Sequence, residues 1–192
     1  MATADDDGHR LRELGADDID AVQRFFEANP EYFLTVKGEG PGPDEAKNEF
    51  VDVPPAGMPY RAMWLLGFYD RGGAMIGVAT IVGDFLQPHV WHVGLFVVAT
   101  ALHGSGAAHS LYRGLERWIV AQGARWLRLG VVRGNARAER FWLRSGYVQV
   151  RERGPMTMGK KSNVLRVMAK PLAGGTIDEY LALVERDRPS AP

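Results

Sequence analysis

The run His103-Gly104-Ser105-Gly106-Ala107-Ala108 follows the apolar segment Val90–Val98 and leads into a helical pattern. Glycines at such a junction let the backbone turn tightly and approach a ligand closely. The first N–H groups of the helix have no internal partners, and the helix dipole turns its positive end to the loop, so phosphate oxygens are natural occupants. Strand–glycine–helix joints also arise for steric reasons alone, so the run by itself does not separate a binding loop from a structural turn. Two phosphate loops are excluded. The P-loop needs Lys and Ser/Thr where Ala107-Ala108 stand, and the dinucleotide fingerprint needs a glycine near His109 and an acid about 20 residues on. His92 lies in the apolar segment with the simple parity of Gly94, Phe96 and Val98, and an imidazole suits a general base; the competing reading is a satisfied core histidine. His89 and His92, three apart on a strand, do not share a face, so no metal site is expected. The chain has no cysteine, which removes disulfides, thiolate ligands and a cysteine nucleophile.

The elements that must position these residues follow from periodicity. Residues 9–14 alternate charge and leucine as a first strand, and Asp17 precedes an amphipathic helix through Ile19, Val22 and Phe26 that stops at Asn29-Pro30. Residues 37–45 read as a loop feeding a short helix to Val51. Ala62–Tyr69 and Ala74–Val82, joined by Asp70-Arg71-Gly72-Gly73, form an antiparallel hairpin, and Val90–Val98 is a strand buried on both faces. A helix from Ala108 to Gly123, a strand Trp126–Val132, a helix Asn135–Ser145 and strands Tyr147–Val150 and Val164–Ala169 complete the pattern. A short helix is expected around Ile177–Val184, with Arg186–Pro192 fraying. The expected fold class is α/β: a mixed, mostly antiparallel central sheet of about 6–7 strands flanked by helices. At 192 residues the chain reads as one domain with its core at 9–170 and a C-terminal helix and tail at 171–192.

Positive and negative side chains balance, 23 against 23. Residues 1–60 nevertheless hold 14 acidic and 5 basic side chains, whereas 101–160 hold 11 basic and 3 acidic. The basic segment suggests an anionic ligand near the glycine loop. It lacks interleaved aromatics on a reading surface, so nucleic acid is not an expected partner, and the zero net charge of the whole chain argues against coating an anionic membrane. The acidic start has no apolar leader, and no stretch approaches the ~20 apolar residues of a membrane span, so the cytoplasm is the default location.

Two linked motifs carry a resemblance. Val98-Ala99-Thr100-Ala101-Leu102-His103-Gly104-Ser105-Gly106-Ala107-Ala108 is similar to the acyl-CoA loop of the GNAT superfamily of N-acetyltransferases. Asn135-Ala136-Arg137-Ala138-Glu139-Arg140-Phe141-Trp142-Leu143-Arg144-Ser145-Gly146-Tyr147 resembles that family's second signature: Asn, Ala three on, an aromatic pair, then Gly-aromatic. The likeness covers residues 9–170. It implies direct acyl transfer, acetyl above all, from acyl-CoA to an amine, with acetyl-CoA as co-substrate, no metal, and a homodimer as a compatible assembly.

The resemblance further implies site roles. Backbone N–H groups of His103, Gly104, Ser105, Gly106, Ala107 and Ala108 would hold the pyrophosphate, and the strand would splay near Val98, whose N–H would polarise the thioester carbonyl. Asn135 would bond pantetheine, with Ala138, Phe141 and Trp142 lining its channel. His92 is the candidate general base, and Glu31 and Tyr32 fall where the family builds its acceptor pocket. Arg133, Arg137 and Arg140 could serve phosphates, with a solvated helix face the better reading for at least two. The sequence departs from the pattern at His103, where Arg or Gln is usual, and at Trp142, where many members have a tyrosine that reprotonates the thiolate. An indole cannot act as that acid, although a thiolate whose parent pKa is about 8.5 needs little help. The acidic first third, expected to face the acceptor, hints at a cationic or polar amine. The alternative reading is a non-catalytic acyl-CoA-binding module or sensor.

Overall fold

The computed structural model describes residues 3–4, 8–172 and 174–190; the rest of the acidic start (1–2, 5–7) and of the tail (191–192) lies outside the described residues. The strands are β1 (Thr3–Ala4), β2 (Arg10–Glu13), β3 (Ala62–Tyr69), β4 (Met75–Gly83), β5 (Val90–Val98), β6 (Trp126–Val132), β7 (Val148–Met158) and β8 (Lys161–Pro171). The helices are α1 (Ile19–Ala28), α2 (Glu31–Val36), α3 (Glu45–Val51), α4 (Ala107–Ala121), α5 (Ala136–Arg144) and α6 (Ile177–Leu183). The sheet order is β1-β2-β3-β4-β5-β6-β8-β7. Only β5 and β6 run parallel, and α4 supplies the crossover that a parallel connection requires. The expected mixed, mostly antiparallel sheet is therefore observed, with seven substantial strands and the two-residue β1 added at the edge.

Helices cover both faces. On one, Leu111, Leu115 and Ile119 of α4 and Trp142 of α5 pack against Leu66, Ile81, Trp91 and Leu127. On the other, Val22 and Phe26 of α1 and Phe33 of α2 pack against Leu65, Val78, Leu95 and Val97, while Tyr180 of α6 covers Val90, Trp126 and Ala169. Burial on both sides explains why β4 reads as a continuous apolar run.

Three differences from the sequence expectation have physical causes. Pro30 reads as a helix stop, but its φ of −73° also suits a helix start, and α2 begins immediately after it. Strands β7 and β8 each run 11 residues, absorbing the stretch between the expected strands Tyr147–Val150 and Val164–Ala169, because Gly154-Pro155 falls in a register shift between Arg153 and Met156 rather than ending the strand. The tail does not fray at Arg186: Glu185–Asp187 forms a 3-10 turn, and Asp187 is fully buried. Its carboxylate accepts from Arg128 Nε at 2.6 Å and Nη2 at 3.1 Å, from Tyr180 Oη at 2.6 Å and from Arg153 Nη2 at 3.3 Å.

Burial alone would raise the Asp187 carboxyl, but the Arg128 hydrogen bonds outweigh it and hold the group below its ordinary range. Asp187→Ala leaves the Arg128 cation buried without its partner and is expected to cost about 3–5 kcal/mol in denaturant unfolding. Arg133→Ala, which breaks the exposed pair with Glu152, should cost under about 1 kcal/mol. Because the folded Asp187 titrates below the unfolded one, its contribution is full above about pH 4 and declines as the pH falls toward the folded value.

Candidate active site

Strands β5 and β6 pair from Val90↔Trp126 to Val93↔Leu129 and then part. Between β4 and β5 the register shifts at the same level, with Ile81 opposite Val93 and Thr80 opposite Leu95, so Gly94 is an extra, bulged residue. The bulge reverses parity. Trp91, Val93, Phe96 and Val98 face α4 and α5, whereas His92 shares the opposite face with Leu95 and Val97, which corrects the simple alternation expected for His92.

The parting leaves a strand edge open. Ala99 N–H bonds to Ile76 O on β4, so strand alternation turns the backbone groups of Val98 and Phe96 the other way, into the gap. The Val98 carbonyl agrees with this direction, accepting from His103 Nε2 at 3.1 Å. Arg137 Nη1 lies 2.9 Å from His103 Nδ1. A guanidinium only donates, so Nδ1 accepts and the ring proton resides on Nε2. His103 is thereby turned inward from the loop. Arg137 also bonds Glu31 Oε2 at 2.8 Å, and this bond first of all lowers the Glu31 carboxyl.

Above the gap, Gly104 (φ +81°) and Gly106 (φ +89°) adopt left-handed conformations, and a Cβ at either would meet no atom within 4 Å. Ser105 Oγ bonds to Leu102 O at 2.7 Å and receives Ala107 N–H at 3.2 Å, fixing the turn into α4. The N–H groups of Gly104, Gly106 and Ala108 make no hydrogen bond among the described residues. Asn135 caps α5, its Oδ1 accepting from Ala138 N at 3.2 Å, which leaves Nδ2 available as a donor.

Two cavities meet through the gap. The first, about 150 Å³, is lined by Glu31, Tyr32, Val98, His103, Ala108, Asn135, Ala138, Phe141 and Trp142, all of them singled out in the sequence. The second, about 370 Å³, lies on the other face and includes His92, Arg128, Arg153 and Arg186. Tyr32, Phe96, Asn135, Ala138 and Trp142 line both. Trp142 is 8% exposed and packs edge-on against Phe141, Tyr112 and Tyr147, with ring centroids 4.8, 5.4 and 5.2 Å away. Burial first of all, then Glu49 and Glu45, pushes the Tyr32 phenol above its ordinary range, so it stays protonated. Of Arg133, Arg137 and Arg140, only Arg137 reaches the first cavity.

His92 stacks on Phe85 at 4.9 Å, and Arg128 Nη1 lies 3.3 Å from its Nδ1. The only acceptor nitrogen of the neutral ring is thus engaged. Burial, and secondarily Arg128, pushes His92 down to about 3. With its lone pair engaged by Arg128 and its charged form disfavoured by burial, His92 is unfavourably placed for the general-base role expected of it. Glu31 lies at the mouth of the first cavity rather than in the second, and among the described residues no Asp or Glu lines the second. The expectation of an acidic acceptor side does not describe this cavity. Sequence reasoning missed Arg128, Arg153 and Arg186, whose meeting depends on β7, β8 and the C-terminal turn; no local motif announces it. It also missed Glu49, whose carboxyl accepts from Thr80 Oγ1 at 2.8 Å beside the bulge and is raised chiefly by burial.

An opened strand edge beneath a glycine-bearing helix start leaves a row of backbone donors free for an extended ligand. The model of the Acetyltransferase (GNAT) family matches residues 22–147, and the chain belongs to that family. A search of curated proteins finds no match. Among solved structures, an acetyltransferase from Thermus thermophilus is similar at 22% identity, TM-score 0.65, over 85% of this chain and 97% of that one. A GCN5-related N-acetyltransferase from Kribbella flavida gives 21%, 0.62, 85% and 98%. The ribosomal-protein-S5-alanine acetyltransferase from Vibrio fischeri gives 11%, 0.68, 92% and 99%. Identities this low carry the fold; the family match makes the protein an acetyltransferase. Among the described residues no helix is long and apolar enough to cross a membrane, and no group of three or more His, Asp or Glu is placed to hold a metal.

The depressed His92 has a measurable consequence. As the pH falls below about 6.5 the unfolded chain takes up a proton that the native ring refuses, so stability should fall by up to about 1.4 kcal/mol per pH unit. His92→Gln keeps an acceptor for Arg128 and removes that proton. Its unfolding free energy should therefore be flatter than wild type between pH 6 and 4; equal slopes would contradict the assignment.

Proposed function

We propose that the protein transfers an acetyl group from acetyl-CoA directly to an amine. The observation that carries this reading is the alignment of an open β5 edge, with Val98 N–H turned into the gap, below the free N–H groups of Gly104, Gly106 and Ala108. The residues fit such a donor. The loop offers amide donors around space that a Cβ would fill, as pyrophosphate oxygens require. Phe96 and Val98 offer strand pairing to the amides of the pantetheine arm, and Asn135 Nδ2 offers one further donor. The bound donor supplies an activated thioester, and Val98 N–H would meet its carbonyl oxygen where negative charge develops.

Two groups govern the protons. Trp142 cannot return one to the leaving sulfur, and of the side chains shared by both cavities only Tyr32 carries a hydroxyl. Burial raises this phenol further, so it stays protonated and offers the sulfur a hydrogen bond, while the proton itself comes from solvent. His92 holds its proton on Nε2 and acts as a hydrogen-bond donor to whatever enters the second cavity. The acceptor amine therefore loses its proton to solvent.

Free thiol release with acetyl-CoA and an amine panel tests the reading. Donor binding without thiol release from any amine would favour the non-catalytic module. Gly106→Val puts a side chain into the phosphate space and should weaken acetyl-CoA binding at least about tenfold in titration calorimetry, whereas the strain of a positive φ, about 1–2 kcal/mol, should shift the melting temperature by only a few degrees. Tyr32→Phe should lower kcat about tenfold with donor affinity retained, a modest loss because a thiolate leaves readily.

A further inference from the structure

The second cavity has a charge pattern that the family assignment does not explain. Arg128, Arg153 and Arg186 all line it, and among the described residues no carboxylate does. The buried Asp187 behind it answers Arg128 and Arg153, which leaves a surplus of two positive charges at the wall.

The three guanidiniums are not equivalent. Arg128 is committed, with two bonds to Asp187 and one to His92. Arg153 places Nη2 on Arg186 O at 2.6 Å and on Asp187 Oδ1 at 3.3 Å, but its Nε is buried with no partner. Arg186 has no carboxylate within ion-pair distance among the described residues; only its main-chain oxygen is engaged, by Arg151 and Arg153. Burial, followed by repulsion from Arg186, lowers the Arg153 guanidinium. A buried donor without a partner is unfavourable until an acceptor arrives. The remaining wall is apolar and adaptable, with Met58, Met156, Met158, Leu165 and Val167.

We infer that the acceptor is an amine that also carries an oxyanion, a carboxylate or phosphonate, joined to it by a small apolar body, with Arg153 and Arg186 receiving the oxyanion. This rests on the reading that an amine is acetylated in this gap. Planar guanidinium forks match both oxyanions, whereas a polyamine would meet surplus positive charge with no carboxylate to answer it. The apolar body fits the methionine-lined wall, and His92 Nε2–H adds a neutral donor. The sign of the acceptor is thus opposite to the one suggested by the acidic first third of the sequence.

The test uses the full chain, acetyl-CoA and matched acceptors: an apolar α-amino acid, its phosphonate analogue, its primary amide and its decarboxylated amine. Thiol release should favour one of the two oxyanion members over the amide and the amine by at least about tenfold in kcat/KM; which of the two leads identifies the oxyanion. Arg186→Gln, whose side chain has no carboxylate partner to lose, should shrink that preference mainly through KM. Arg186→Lys should retain part of it, and Arg153→Gln should act in the same direction. Equal rates on all four acceptors, a preference for the amine, or a preference unaltered in folded Arg186→Gln would overturn the inference while leaving amine acetylation standing. Thiol release from no acceptor would instead count against the proposed function. In that case melting-temperature shifts decide: stabilisation by the N-acetyl amino acid but not the N-acetyl amine, lost in Arg186→Gln, supports the oxyanion site, and any other pattern overturns it.

Discussion

The parting of β5 from β6 beyond Val93↔Leu129 is the constraint on which the rest of the structure depends. Backbone N–H and C=O groups in a protein interior need partners, and two strands that separate in mid-sheet leave theirs without any. The structure manages this locally. Gly94 bulges where the strands part, His103 returns to cover the Val98 carbonyl, and Asn135 closes the start of α5 on the other flank. The backbone donors that stay open are those suited to an extended, amide-containing ligand. The imperfection of the sheet is thus also the one stretch of β5 whose backbone faces the gap.

A second dependence runs from the C-terminal turn into the sheet. Asp187 holds Arg128, Arg128 occupies His92 Nδ1, and His92 is fixed as a neutral donor facing the second cavity. The chain of contacts converts a fully buried carboxylate into the protonation state of a ring on a different element. Breaking a buried pair of this kind is far more costly than losing an exposed one, so the wall of the second cavity and the stability of the fold are tied together.

Much of the fold is legible in the sequence because local signals agree with tertiary demand. The hairpin of β3 and β4, the apolar β5, and the glycines that bracket α4 each carry their own pattern, and the two motifs that carry the resemblance fall on adjacent sides of one gap. What is not legible involves ambiguity or distance. Pro30 serves a stop and a start equally well. Gly94 changes the parity of His92 without leaving a mark in the sequence beyond being glycine. Arg128, Arg153 and Arg186 come from three separate segments, and the last lies in a run of charged residues that reads as solvated tail. The charge gradient misleads for the same reason: Glu31 meets Arg137 and His103 beside the loop, so acidic and basic segments interleave at one cavity instead of facing each other across two.

That Glu31–Arg137 contact spans the two flanks of the gap, from α2 to α5, with both side chains about half exposed, at 44% and 57%. Exposed pairs of this kind are worth under about 1 kcal/mol, so the contact is a placeholder rather than a lock. It ties α2 to α5 across the mouth of the first cavity at little energetic cost, so the two flanks can part without a large penalty.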